Sequence, residues 1–438
     1  KHPLVPRGLA VFYPIASVAV MLLFVYADFG LAATVAVRMR ATSGETEFGP
    51  IFSFSLMSTI VHSWHGEAYF IAIATVLMSG LWPFVKLAML LVAWLAPPRR
   101  FSIARRARAL KFLDTLGKYS FIDSWFLVLS MSAFAIEWRA ESDPDAALAL
   151  QTNPCFAFYA FFVATGASLL LGHVASEYHT EILTQAAAQQ RREMAKAAEA
   201  PAQEAELRKI SLASLSSSRA LRWGGSAALF TTLLLTVVGS LLPSIEFHVN
   251  GIFADFMFGE TIHARLSLWD TGANVSTGRE SEFGLIVLET VFLVLSVVLP
   301  VVLLAMLMVL WVAPMTAQSQ ERLLRASYFV ESWTTIDVAV VVMLIACFEF
   351  SRLSEFLVYR SDFASACIAF RDATQSECMT VELEALPPLF LLVVAGALNI
   401  AVPKLAIRFC AAATAQRLHH AVLALPEHDM ARLWTTKS

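Results

Sequence analysis

Residues 79–90 read SGLWPFVKLAML and set a serine, a proline and a lysine inside a long apolar run. Each residue type can do chemistry there. Proline has no N–H, so Pro83 is expected to strip the carbonyl of Ser79, four residues earlier, of its helical partner. The serine hydroxyl both donates and accepts hydrogen bonds. An ammonium at the centre of a spanning helix costs about 2.5–3.5 kcal/mol on insertion scales, so Lys86 needs polar company. It lies seven residues after Ser79 and three after Pro83, on the same helix face. Hydroxyl, bare carbonyl and ammonium would then share one stripe, able to meet a lipid headgroup or relay protons. The alternative is that Lys86 snorkels. The end of its run lies about ten residues on, roughly 15 Å away, further than a lysine stem reaches without water or a polar partner.

Other polar residues are weaker candidates. Ser120 and Asp123 open a later apolar run, and Thr334 and Asp337 open another with the same spacing. Both pairs suit a capping box, with the acid also favoured by the helix dipole. The functional alternative is that Ser120 or Asp123 faces Lys86 across a helix pair. Thr165 and Ser168, Glu289 and His173 are further polar residues in or near apolar runs. Five cysteines occur without a CxxC pair, so no metal site is expected. Cys367 and Cys378 share one loop and are either bridged in an oxidising compartment or two free thiols. LGKYS at 116–120 is no phosphate loop, because the residue five before Gly117 is Phe112. No dinucleotide loop, paired-histidine motif or nucleophile elbow is present. The sequence therefore argues against an enzyme, calls for no cofactor and gives no sign of nucleic-acid binding.

The elements that must position these residues are legible from composition. The 438 residues are 58% hydrophobic and 15% charged, with mean hydropathy +0.64. That is a polytopic membrane protein, in which a 30 Å hydrocarbon core needs roughly 20 apolar residues per helix. Eight runs qualify: about 9–27, 68–96, 121–137, 155–176, 224–243, 284–313, 336–350 and 387–406. With both termini in the cytoplasm, the inside segments carry 23 Lys/Arg, and the outside loops carry 8 against 19 Asp/Glu. The chain also repeats. Ser79 to Pro97 aligns with Ser296 to Pro314 at 11 of 19 positions, which places Ser296 and Pro300 opposite Ser79 and Pro83, and Leu303 opposite Lys86. Two tandem four-helix halves, 1–176 and 223–410, are thus expected as parallel repeats about an axis along the membrane normal. Between them 177–222 reads as an exposed helix broken near Pro201, either a spacer or a docking site, and 411–438 as a tail. The loops 28–67 and 244–283 alternate weakly enough to suggest small β-structured caps.

The stretch from 50 to 90, with its Ser-x-x-x-Pro-x-x-Lys, together with GKYSFID and WTTID, resembles the paraquat-inducible protein A family. That resemblance is strongest at 50–135 and 284–345. It implies two tetraspan domains of claudin- and TARP-like form, in the inner membrane of a double-membraned bacterium. It implies lipid trafficking with an MCE-domain partner and phospholipid as cargo, energised from elsewhere, since no ATPase motif is present. Carried over by motif, Ser79, Pro83, Lys86, Ser120 and Asp123 form a polar network in the first half. Two departures stand out: the zinc ribbons of many members are missing, and Leu303 leaves the second half without its lysine. The ribbon-free form leaves an organelle membrane open. An ion- or proton-coupled small-solute transporter and a membrane scaffold are the other functions that the sequence accommodates.

Overall fold

A computed structural model describes residues 6–41, 44–97, 101–134, 136–139, 147–195, 209–215, 219–250, 262–277, 282–358 and 380–423. Cys367 and Cys378, like the break near Pro201, lie outside the described residues. The first half runs α1 (Arg7–Phe29), a hairpin β1 (Ala33–Ala41) and β2 (Gly44–Phe54), then α2 (Leu56–His65) and α3 (Tyr69–Ala74). A π-helical segment, Thr75–Leu81, joins α3 to α4 (Trp82–Leu95), and α5 (Ile103–Gly117) passes through a 3₁₀ turn, Lys118–Phe121, into α6 (Ile122–Phe134). Strands β3 (Ile136–Arg139) and β4 (Ala147–Pro154) lead to α7 (Phe156–Ala195). After a short α8 (Leu212–Leu215) the second half repeats the order. It comprises α9 (Arg219–Leu241), β5 (Ile245–Asn250), β6 (Ile262–Leu266), α10 (Leu268–Ala273) and α11 (Phe283–Leu293). Next come the π-helical Val294–Val298, α12 (Leu299–Val312), α13 (Ala317–Glu331), α14 (Ile336–Val358), β7 (Thr380–Ala385) and α15 (Pro388–Leu423).

The chain is an all-α polytopic membrane protein with small sheets. Among the described residues seven helices are long and apolar enough to cross a membrane. The expected third run is the exception, because α6 has only 13 residues. It is not a free-standing span: the chain is helical from Ile103 to Phe134, and the charged half of that path, with Lys111, Asp114 and Lys118, was excluded by hydropathy. The helix expected after residue 176 is continuous with the fourth span, since α7 runs from Phe156 to Ala195. The helices face lipid where the periodicity leaves apolar side chains outward, as with Val11, Phe12, Ile15, Val18 and Leu22 on α1.

Both caps are β-structured and share one topology. The first sheet has the order β2-β1-β4-β3 and the second β6-β5-β7, with all pairs antiparallel. In each, the strand after the first helix lies between its hairpin mate and the strand that precedes the fourth helix. The halves meet reciprocally: α2 packs on α14, α10 packs on α6, and α6 and α14 pack on each other. Such an exchange of equivalent contacts is what a two-fold relation along the bundle produces. The apolar seal includes Trp125 of α6 edge-on to Phe292 of α11, 4.9 Å between centroids. A polar clasp supplements it. Glu349 of α14 accepts the N–H groups of Phe70 and Ile71, both at 3.0 Å, at the start of α3. A carboxylate there satisfies two donors that the helix itself cannot and sits at the positive end of its dipole.

Candidate functional site

Both proline-bearing helices solve the missing N–H in the same way, and not as a simple kink. Through Thr75–Leu81 the helix widens to an i→i+5 register, and Trp82 N–H donates to the Leu77 carbonyl. Pro83 therefore has no N–H to offer Met78 in that register, or Ser79 in the α register that α4 resumes. In the second half Leu299 N–H donates to the Val294 carbonyl, which puts Pro300 opposite Leu295. That carbonyl is used: Thr335 N–H donates to it at 3.0 Å, and the Ser296 and Thr335 hydroxyls meet at 3.0 Å. The proline therefore opens an acceptor that docks the start of α14. Ser296→Ala is expected to cost about 1 kcal/mol in a detergent melt. Ser79→Ala should cost far less, because the buried Ser79 hydroxyl makes no hydrogen bond among the described residues.

Lys86 is buried, at 1% exposure, so it does not snorkel. Its ammonium donates to the Ser168 hydroxyl of α7 at 3.0 Å, and Ser168 in turn donates to the Thr165 carbonyl at 2.8 Å. Space for the ammonium comes from Gly117, where a Cβ would lie 2.9 Å from Nζ and 2.8 Å from Leu169 Cδ2. Gly117→Val is therefore expected to drive Lys86 off Ser168 and to destabilise the fold by about 1–3 kcal/mol, read by thermal denaturation. The same segments contribute buried hydroxyls at Ser79, Ser120 and Thr165 that make no hydrogen bond among the described residues. Unpartnered buried hydroxyls cost stability, which a fold retains where a ligand or water completes them. The site is asymmetric between the halves: Leu303 replaces the lysine and is buried in an apolar cluster.

Several predicted roles change in three dimensions. Neither Ser120 nor Asp123 caps a helix, because the 3₁₀ turn continues α5 into α6. Asp123 does not meet Lys86; it lines a cavity of about 90 Å³ with His62, Ser130 and Thr152, beneath the first sheet, within electrostatic range of the buried Asp28. Asp114 of α5 is the carboxylate whose field reaches Lys86. Thr334 and Asp337 do not form a box either. The Thr334 hydroxyl donates to the Glu331 carbonyl at 2.9 Å. Asp337 instead binds the other half: Lys118 Nζ lies 2.8 Å away and Tyr119 donates its hydroxyl at 3.0 Å. Asp114 crosses the same boundary by accepting from the Ser332 hydroxyl at 2.8 Å, and within its own half it lies 3.1 Å from His173 Nδ1. Glu289, weighed as a polar residue within a span, accepts from Ser276 of the loop after α10.

At the end of the bundle away from the sheets, α5, α7, α13 and α15 enclose a cleft of about 610 Å³. Lys111, Lys118, Arg325, Lys404 and Arg408 line it together with Asp114, Glu177 and Glu331. Sequence reasoning missed it because its cations come from both halves, and no local motif joins them.

Residues 47–170 match the family model described as paraquat-inducible protein A. The matched stretch holds Ser79, Pro83, Lys86, Ser120, Asp123 and Thr165. No curated protein and no solved structure matches the chain.

Proposed function

With the paraquat-inducible protein A match as premise, we propose that this chain is the membrane subunit of an intermembrane lipid-transport system. It passes a phospholipid-like substrate to or from an MCE-domain partner at the sheet end. The membrane is the inner membrane of a double-membraned bacterium, with both termini on the cytoplasmic side. The observation that carries this reading is the buried Lys86 ammonium on Ser168, in segments that also hold the unpartnered hydroxyls of Ser79, Ser120 and Thr165, within the stretch that matches the family model. An ammonium with spare hydroxyl donors suits a phosphate diester passing through a low-dielectric interior. The cleft at the opposite end supports it, since lysines, arginines and carboxylates side by side suit a zwitterionic headgroup. The test is capture in the parent membrane, with co-purified lipids and proteins identified by mass spectrometry. Phospholipid and an MCE protein are expected, and a photoactivatable phospholipid should crosslink to α4 or α7. Their absence would remove the reading.

One observation favours a second reading. The Lys118–Asp337 ion pair between the halves, with Asp114 and His173 3.1 Å apart within the first half, suits a proton relay more than a lipid groove. A proton-coupled small-solute carrier of this design would show uptake in proteoliposomes driven by a pH gradient alone.

A further inference from the structure

The second sheet carries a polar cluster that plays no part in the membrane site. On β5, alternation turns Ile245 and Phe247 to the core, leaving Glu246 and His248 on the other face. On β6, Ala264 and Leu266 turn inward and His263 and Arg265 outward. On β7, Val381 and Leu383 are buried, and Glu382 and Glu384 are exposed. The register sets His248 directly opposite His263 on one side and Glu382 on the other, with Glu246 between Arg265 and Glu384.

We propose that this face is a binding site for a divalent transition-metal ion of the zinc class, held by His248, His263 and Glu246. The ligand atoms of the three lie within 4.8 Å of one another. The two imidazoles point Nδ1 at Nδ1, 2.7 Å apart. Two neutral rings can meet so only if one Nδ1 carries the proton and the other accepts it. A metal replaces that proton with a small adjustment, because two nitrogens on tetrahedral zinc lie about 3.3 Å apart. The outer groups are already arranged for it. Glu384 places Oε2 3.3 Å from His248 Nε2, the carboxylate that orients a ligating ring and strengthens it as a donor. Glu246 now pairs with Arg265 at 3.2 Å, and Arg265 is exposed, free to swing into water when the carboxylate turns to the metal. Two histidines and one carboxylate leave a fourth position open for water or a partner's side chain. The ion would tie the β5–β6 hairpin together beside the segment that precedes α15. Sequence spacing gave no sign of it, since the histidines lie 15 residues apart on paired strands.

The test uses the full chain in detergent, stripped with a chelator and titrated with Co²⁺ and then Zn²⁺. About one equivalent of Co²⁺ should bind at this face with visible absorption of a nitrogen–oxygen site, and Zn²⁺ should displace it. His248→Ala and His263→Ala should each abolish that absorption, with unchanged circular dichroism as the folding control. Glu384→Gln should weaken binding by about 10–100-fold without changing stoichiometry. X-ray absorption of the zinc-loaded wild-type chain should show imidazole scattering, which needs no variant to fold. Absence of uptake, absorption that survives His263→Ala, or a metal edge without imidazole would overturn the assignment and leave the two rings as a hydrogen-bonded pair.

Discussion

Asp337→Ala is expected to destabilise the protein by about 3–5 kcal/mol, the largest single-site loss in the bundle. The carboxylate is 4% exposed and its partner Lys118 is 11% exposed. Removing the acid leaves a largely buried ammonium without its counter-charge at the edge of the charged cleft and takes the acceptor from the Tyr119 hydroxyl. The loss should show as early melting and as faster proteolysis between the halves, since the pair joins residues 118 and 337. The double variant Lys118→Met with Asp337→Leu removes both charges and should recover most of the stability, because desolvation of the pair offsets much of its attraction. If Asp337→Ala costs less than about 1 kcal/mol, as solvated pairs do, the contact is wet and plays no part in joining the halves.

Lys86→Leu is expected to do the opposite: keep or raise stability and abolish transport. The second half is a natural control, because Leu303 occupies the repeat-equivalent position and is buried among leucines. Substitution relieves about 2.5–3.5 kcal/mol of charge burial and loses a charged hydrogen bond to Ser168 of about 1.5–3 kcal/mol. The net change in melting is therefore small, whereas function, if it uses the ammonium, disappears. Lys86→Arg should also fail, because Nζ lies so near Gly117 that even a Cβ there would come within 2.9 Å of it, and a guanidinium needs more width. Complementation of an envelope-barrier defect by each variant, with membrane abundance measured in parallel, reads both effects. Wild-type complementation by Lys86→Leu would remove Lys86 from the mechanism.

The repeated Ser-x-x-x-Pro predicted two equivalent breaks, and the structure places a π-helical segment at each. The proline rule located the disturbance, and in the second half the carbonyl that docks α14 is that of Leu295, one residue before the one an α register picks, because the register there is widened. Ser120, Asp123, Thr334 and Asp337 were read as caps from spacing alone. For the first pair that reading failed because a cap needs a helix start. One pair lies on a path that never leaves the helix, and the acid of the other is drawn to a lysine across the interface.

Hydropathy, charge bias and the 217-residue repeat were enough to determine the membrane class and the two-fold order of elements, and the length of the run favoured an interior Lys86 over a snorkelling one. These are properties of one helix or one strand at a time, dictated by what a hydrocarbon phase or a packed sheet will accept. The Lys118–Asp337 and Asp114–His173 pairs, the charged cleft and the facing histidines were decided only by the tertiary structure. Tyr119 meets Asp337 and Ser332 meets Asp114 across 218 residues of chain. Electrostatic partners at that separation are chosen by how two packed halves close on each other, and no local periodicity records that choice.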